Sequence, residues 1–311
     1  MESLRQGLAA FGPWDWACLA VNLAAALAGG FALRAWRGLP RHESRPTLSA
    51  TDAALAMFTG LASFSLIFGL VSGMATQSFQ TLFGISLTHV FLSAFLGQSA
   101  AIVVMLAMSL AAPATLSWAP ASDEGDMSGA RGFRRAREGF TLPGLGVVMI
   151  CLFALGLALS LTWKGVHFGW EQLALRGLTG PAPADEPQAI VDLVLKTDAG
   201  TWSFAAIAVA VTVGAPIMEE LAFRGMLYPG LRRLGRSVSE RHARALAIVL
   251  TGAVFSAAHL SASAALPLLG FGMFMCLVRD RHGLLTCMAA HACFNGWNLL
   301  WLKLAPAASN L

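Results

Sequence analysis

The sequence breaks into about eight apolar runs, most of them long enough to cross a lipid bilayer, and this constrains the fold more than any other feature. A hydrocarbon layer of ~30 Å takes roughly 20 residues of α-helix. The runs fall at residues 14–34, 53–75, 90–112, 143–163, 203–231, 245–263, 264–279 and 283–303. Inside a bilayer, backbone N–H and C=O groups must pair within the chain, which selects helices here. Of 311 residues, 56% are hydrophobic and only 12% charged, too little polar surface for a soluble domain of this size. The expected fold is an all-α, polytopic transmembrane helix bundle of about eight spans.

Loop charge gives the orientation. Arg34, Arg37, Arg41 and Arg45 follow the first run, and Arg131, Arg134, Arg135 and Arg137 follow the third. Arg232, Arg233, Arg236, Arg241 and Arg244 follow the fifth, and Arg279 and Arg281 the seventh. The alternate loops are uncharged (76–88) or net acidic (164–200), so all four basic loops fall on the cytoplasmic side and both termini on the other. The net charge of +4 then reflects these loops and not nucleic-acid binding. Trp14, Trp36, Trp163 and Trp202 are expected at span edges. A short amphipathic helix is expected around 186–196. The start of the chain lacks a basic segment running into a cleavage site, so the first run is expected to remain as a span. Cys18, Cys151, Cys276, Cys287 and Cys293 lie in apolar runs without CxxC spacing, as small packing residues.

Three polar clusters interrupt the last hundred residues: Glu219-Glu220 with Arg224, His259, and His291 with Asn295. An ionisable group at bilayer depth costs roughly 2.5–3.5 kcal/mol on insertion scales and marks function unless paired. Glu220 and Arg224 stand at i, i+4 and can neutralise one another. Glu219 lies ~100° further round the helix, free to face something else. At 1.5 Å per residue from the nearest loop arginine, Glu219, His259 and His291 lie about 20, 22 and 15 Å deep. Singly, each cluster has a plain structural reading as a clamp, a carbonyl partner or interhelical glue. Together, on three helices at one depth, they can meet, which disfavours a merely structural role for the whole set.

The three motifs, Glu219-Glu220-Leu-Ala-Phe-Arg224, Phe255-Ser-Ala-Ala-His259 and His291-Ala-Cys-Phe-Asn295, resemble those of the type II CAAX prenyl endopeptidases and their bacterial relatives, the CPBP (or ABI) intramembrane protease family. Phe223, Gly225, Leu227 and Tyr228 extend the first motif in the bacterial style. The resemblance divides the chain into residues 1–199, an N-terminal transmembrane region of about four spans, and 200–311, a protease-like core of about four. It implies a helical membrane bundle with an intramembrane polar cavity, acting as an intramembrane endopeptidase in a bacterial inner membrane. Glu219 would activate water that His259 helps to hold, His291 and Asn295 would stabilise the oxyanion, and Glu220 and Arg224 would orient them. The implied partners are the lipid bilayer and a membrane-embedded or lipid-modified peptide or protein substrate, with no nucleic acid.

The cofactor is left open by the sequence. Glu219, His259 and His291 can furnish a divalent site for a metal such as zinc, whereas the lack of HExxH and the asparagine in the set favour water activated without metal. Two rival functions use the same buried charges: an ion- or proton-coupled transporter, and a non-catalytic membrane immunity or scaffold protein. No inverted repeat supports the first, and the full motif set argues against the second.

Overall fold

A computed structural model describes residues 49–83, 87–118, 140–181, 189–198, 200–239, 242–262 and 264–304, with isolated positions within 12–28 and 133–137. The expected span 14–34 lies largely outside the described residues. All regular structure among the described residues is helical. Four helices are long and apolar enough to cross a membrane: Ala50–Leu82, His89–Ala111, Leu142–Leu175 and Trp202–Val238.

Helix α1 (Ala50–Ala62) starts at Ser49, whose side chain accepts from the Asp52 N–H, and runs through a π-helical turn (Ser63–Ile67) into α2 (Phe68–Phe83). Helix α3 (Leu87–Ala111) returns antiparallel, with His89 stacked on Phe79 and Gly97 against Phe68 and Ser72. After a 3₁₀ turn at Pro113–Thr115 comes a short extended stretch through Trp118. Helix α4 (Leu142–Leu175) has 34 residues, about 50 Å, so the expected 143–163 run is only part of it. Trp163 therefore lies within this helix and not at its end. The stop comes at Gly177 (φ 68°), where the N–H of Leu178 bonds to Leu173 O and that of Gly177 to Ala174 O. A left-handed glycine closing a helix this way is what its missing Cβ permits.

Helix α5 (Ala189–Lys196) is the short helix expected around 186–196. Its Val194 shares a buried apolar cluster with Phe91, Ile207 and Leu299. The fifth run is one continuous rod with five parts: α6 (Trp202–Val209), a π segment (Ala210–Gly214), α7 (Ala215–Glu219), a second π segment (Glu220–Leu227) and α8 (Tyr228–Val238). Helix α9 (Ala243–Ala258) is shorter than its apolar run because the backbone leaves helical geometry after His259, with Leu260 at φ 50°. The last helical stretch, α10 (Ala265–Leu304), breaks at Gly283 (φ 78°, ψ 177°). Its arms fold back antiparallel: Cys287 Sγ lies 3.5 Å from Met275 O, and Phe271 meets both His291 and Phe294. The runs 264–279 and 283–303 are thus separate helices, as expected. Gly270 and Gly272 admit close neighbours: a Cβ on Gly272 would lie 2.9 Å from the Cα of Gly252 in α9.

Two prolines decide how the π segments end. In π-helical register each N–H bonds five residues back; Ala215 N reaches Ala210 O and Tyr228 N reaches Phe223 O. The next donors would be residues 216 and 229, both proline, which have no N–H. Val211 O and Arg224 O therefore lose their intrahelical partners.

One apolar core takes residues from α1 (Ala56), α3 (Ala101, Met105), α4 (Val148, Leu152), the fifth rod (Met218, Phe223) and α10 (Met275, Ala290). The helix ends flanking the arginine-rich loops gather at one end, where Gly230 abuts Met57, Arg244 meets Asp280, and Trp118 O accepts the Leu284 N–H.

Candidate active site

The second π segment places Glu220 and Arg224 one turn apart on the buried side of the fifth rod, both 0% exposed. Arg224 Nη1 donates to Glu220 Oε1 at 2.8 Å, the pair expected from their spacing. The same Oε1 faces His291 Nδ1 at 2.8 Å, from the second arm of α10. A carboxylate oxygen only accepts here, so His291 Nδ1 carries the hydrogen. Glu220 is thus shared between a guanidinium and an imidazole, beyond the simple clamp read from the sequence.

Arg224 is held from several directions. Its Nη2 donates to Gly272 O at 3.3 Å, and its guanidinium lies 4.5 Å from the Phe255 ring centre. Phe223 and Phe271 complete the aromatic surround, each 5.9 Å away. Stacking on aromatic faces compensates a cation removed from water.

Glu219, at the end of α7, is buried, and its Oε2 lies 3.9 Å from His291 Nε2. That is too long for a direct hydrogen bond. Neither this oxygen nor Glu220 Oε2 has a hydrogen-bond partner among the described residues. Buried carboxylate oxygens are ordinarily satisfied, so these two call for an explanation beyond packing.

His259 closes α9. Its Nδ1 lies 2.8 Å from Phe255 O, which can only accept, so Nδ1 again carries the hydrogen and Nε2 presents a lone pair in the neutral ring. The Phe255 ring sits between the two histidines, 4.6 Å from His259 and 6.3 Å from His291, centre to centre. Asn295, one turn beyond His291, donates through Nδ2 to Val211 O at 2.9 Å, the carbonyl that Pro216 leaves without a partner. Glu219, Glu220, Arg224 and His291 therefore form one contiguous group, His259 joins it through Phe255, and Asn295 anchors to the first π segment.

Zinc takes three or four ligands at ~2.0–2.3 Å, and no group of three His, Cys, Asp or Glu side chains able to hold a metal ion occurs among the described residues.

Sequence reasoning missed two features here. Arg279, expected in a solvated loop, is 2% exposed and donates through Nε to Arg224 O at 3.3 Å. Asp280 beside it binds Tyr228 Oη at 2.8 Å and Arg244 Nε at 2.9 Å. The signal for Arg279 was Pro229, which guarantees an unpaired carbonyl inside an apolar run.

No curated protein and no solved structure matches the chain. Residues 201–297, which hold all three motifs, match the family model described as type II CAAX prenyl endopeptidase Rce1-like, in line with the resemblance of the motifs.

Proposed function

We propose that this protein is an intramembrane endopeptidase that hydrolyses a peptide bond with water activated by Glu219. The observation that carries the reading is the buried Glu219 Oε2, without a hydrogen-bond partner among the described residues, 3.9 Å from an imidazole whose other nitrogen is bonded to Glu220. The family match at 201–297 supports protease chemistry independently.

In this reading Glu219 removes a proton from water while the lone pair on His259 Nε2 accepts a second hydrogen bond from the same molecule. The water oxygen bonds to the scissile carbonyl carbon, whose oxygen becomes an oxyanion. His291 can donate to that oxyanion only as imidazolium, because Nδ1–H is already given to Glu220. Asn295 uses one amide hydrogen on Val211 O and keeps the other for the oxyanion. Each such donor is typically worth ~10²–10³ in rate. Collapse then breaks the C–N bond, and the proton held by Glu219 passes to the leaving amine.

The wider reading is a bundle of about eight spans in a bacterial inner membrane, with both termini non-cytoplasmic and the polar group opening to an intramembrane cavity. Its substrate is a membrane-embedded or lipid-modified peptide or protein, and residues 1–199 form a transmembrane region around the catalytic core at 200–311. The test compares membrane proteomes of cells producing wild-type or Glu219→Gln protein. Termini that appear only with the wild type support the reading; identical terminal peptides in both refute it.

A further inference from the structure

Arg279 is among the largest fully buried side chains of the molecule, yet its guanidinium meets no carboxylate among the described residues. Asp280, its neighbour in sequence, is engaged by Tyr228, Arg232 and Arg244. Arg279 instead donates to Arg224 O at 3.3 Å, to Ser117 O at 3.5 Å, and to Ser117 Oγ. A buried cation satisfied by backbone carbonyls costs more desolvation than an apolar residue would, so packing alone does not account for it.

Its partners share one origin. Pro229 provides no N–H, so Arg224 O loses its π-register donor and Gly225 O its α-register donor, five and four residues back. Arg279 Nε takes the first carbonyl, and the backbone N–H of Ser117 takes the second at 3.1 Å. The next residue of the same extended stretch, Trp118, accepts the Leu284 N–H at 2.9 Å, two turns before His291. Leu116, 0% exposed, fills the space over Gly225, where a Cβ would come 2.6 Å from its Cδ1. The stretch thus touches both elements that must be in register: the π segment carrying Glu220 and Arg224, and the helix arm carrying His291.

We propose that Leu116–Trp118 and Arg279 form a strap that sets the Glu220–His291 contact, with Arg279 a positioning residue for the active site. Residues 113–118 lie outside the matched family domain, so the N-terminal region supplies part of the active-site scaffold. The strap serves catalysis only if the endopeptidase reading holds, but its geometry can be measured without a substrate.

The experiment is solid-state NMR of the full-length protein in lipid bilayers, labelled with ¹⁵N-histidine, at one fixed pH. His291 is assigned by the signal lost in His291→Asn. In the wild type, His291 shows a protonated, hydrogen-bonded Nδ1. Arg279→Met is expected to displace or broaden that signal while His259, bonded to Phe255 O outside the strap, stays unchanged. Ser117→Ala should move the signal the same way by less, and Arg279→Lys should restore most of it. Pro229→Ala, which returns an N–H to Arg224 O, should lessen the effect of Arg279→Met. If Arg279→Met does not fold, Ser117→Ala decides. A His291 signal coinciding with wild type in the folded strap variants overturns the proposal. Failure of the wild type to cleave any membrane protein would instead sink the functional reading and leave this result standing.

Discussion

Glu220 and His291, 71 residues apart in sequence, meet through a single oxygen: Oε1 of Glu220 lies 2.8 Å from His291 Nδ1 and 2.8 Å from Arg224 Nη1. The pair within one helix turn and the pair between helices are therefore one network. Removing either partner leaves a charge uncompensated where water cannot reach it.

Arg224→Met is accordingly expected to destabilise the fold by about 3–5 kcal/mol. Adding Glu220→Gln should recover a large part of that loss, because the carboxylate stranded by the first change is then neutral. Thermal unfolding of the purified protein in detergent, for both single variants and the double, measures the coupling.

Glu219 should behave in the opposite way. Its Oε2 has no hydrogen-bond partner among the described residues, so Glu219→Gln should fold with stability close to wild type. Loss of the general base is expected to slow cleavage by ~10²–10⁴-fold. Paired melting curves and cleavage rates on the same preparations check both halves.

Asn295 and Pro216 should be linked through Val211 O. Asn295→Ala leaves that carbonyl unpaired and is expected to cost about 1–3 kcal/mol. In a Pro216→Ala background the new N–H can take the carbonyl, so the same change should cost less. A double-mutant cycle in unfolding free energy reads the difference. Additivity would place the Asn295 contribution elsewhere.

Gly272 lies where α9 and the first arm of α10 cross, and the atom opposing a new Cβ is the Cα of Gly252, which cannot swing aside. Gly272→Ala is expected to destabilise by about 1–3 kcal/mol. Gly69, where a Cβ would meet nothing within 4 Å, is the matched control: Gly69→Ala should not destabilise. Melting temperatures of the two variants separate crowding from a general helix effect.

Much of this was legible in the sequence for physical reasons. Apolar length and loop arginines mark the helices because the bilayer penalises charge and unpaired backbone at every position. The i, i+4 spacing of Glu220 and Arg224 fixes a local contact that survives any tertiary arrangement. Contacts between helices were not readable in this way. Glu220 to His291 depends on how the arms of α10 fold about Gly283, and the link from His259 to His291 depends on where the Phe255 ring packs. Arg279 looked like a loop cation because charge near a span end is usually solvated. It is buried because a carbonyl that Pro229 leaves unpaired needs a donor; Pro229 signals that demand in the sequence, but the π register of the fifth rod decides that Arg224 O carries it. The length of α4 was not legible either, since residues 164–175 continue the helix past Trp163 and the stop waits for Gly177.

The central claim is that buried Glu219 activates water for peptide hydrolysis. Its most direct measurement uses purified protein reconstituted in bilayers with a membrane-protein extract in H₂¹⁸O, followed by mass spectrometry of new C-terminal carboxyl groups. The expected result is one ¹⁸O atom in each newly formed carboxyl group with the wild type and no new termini with Glu219→Gln. Equal cleavage by the two proteins, or none by the wild type, would contradict the account.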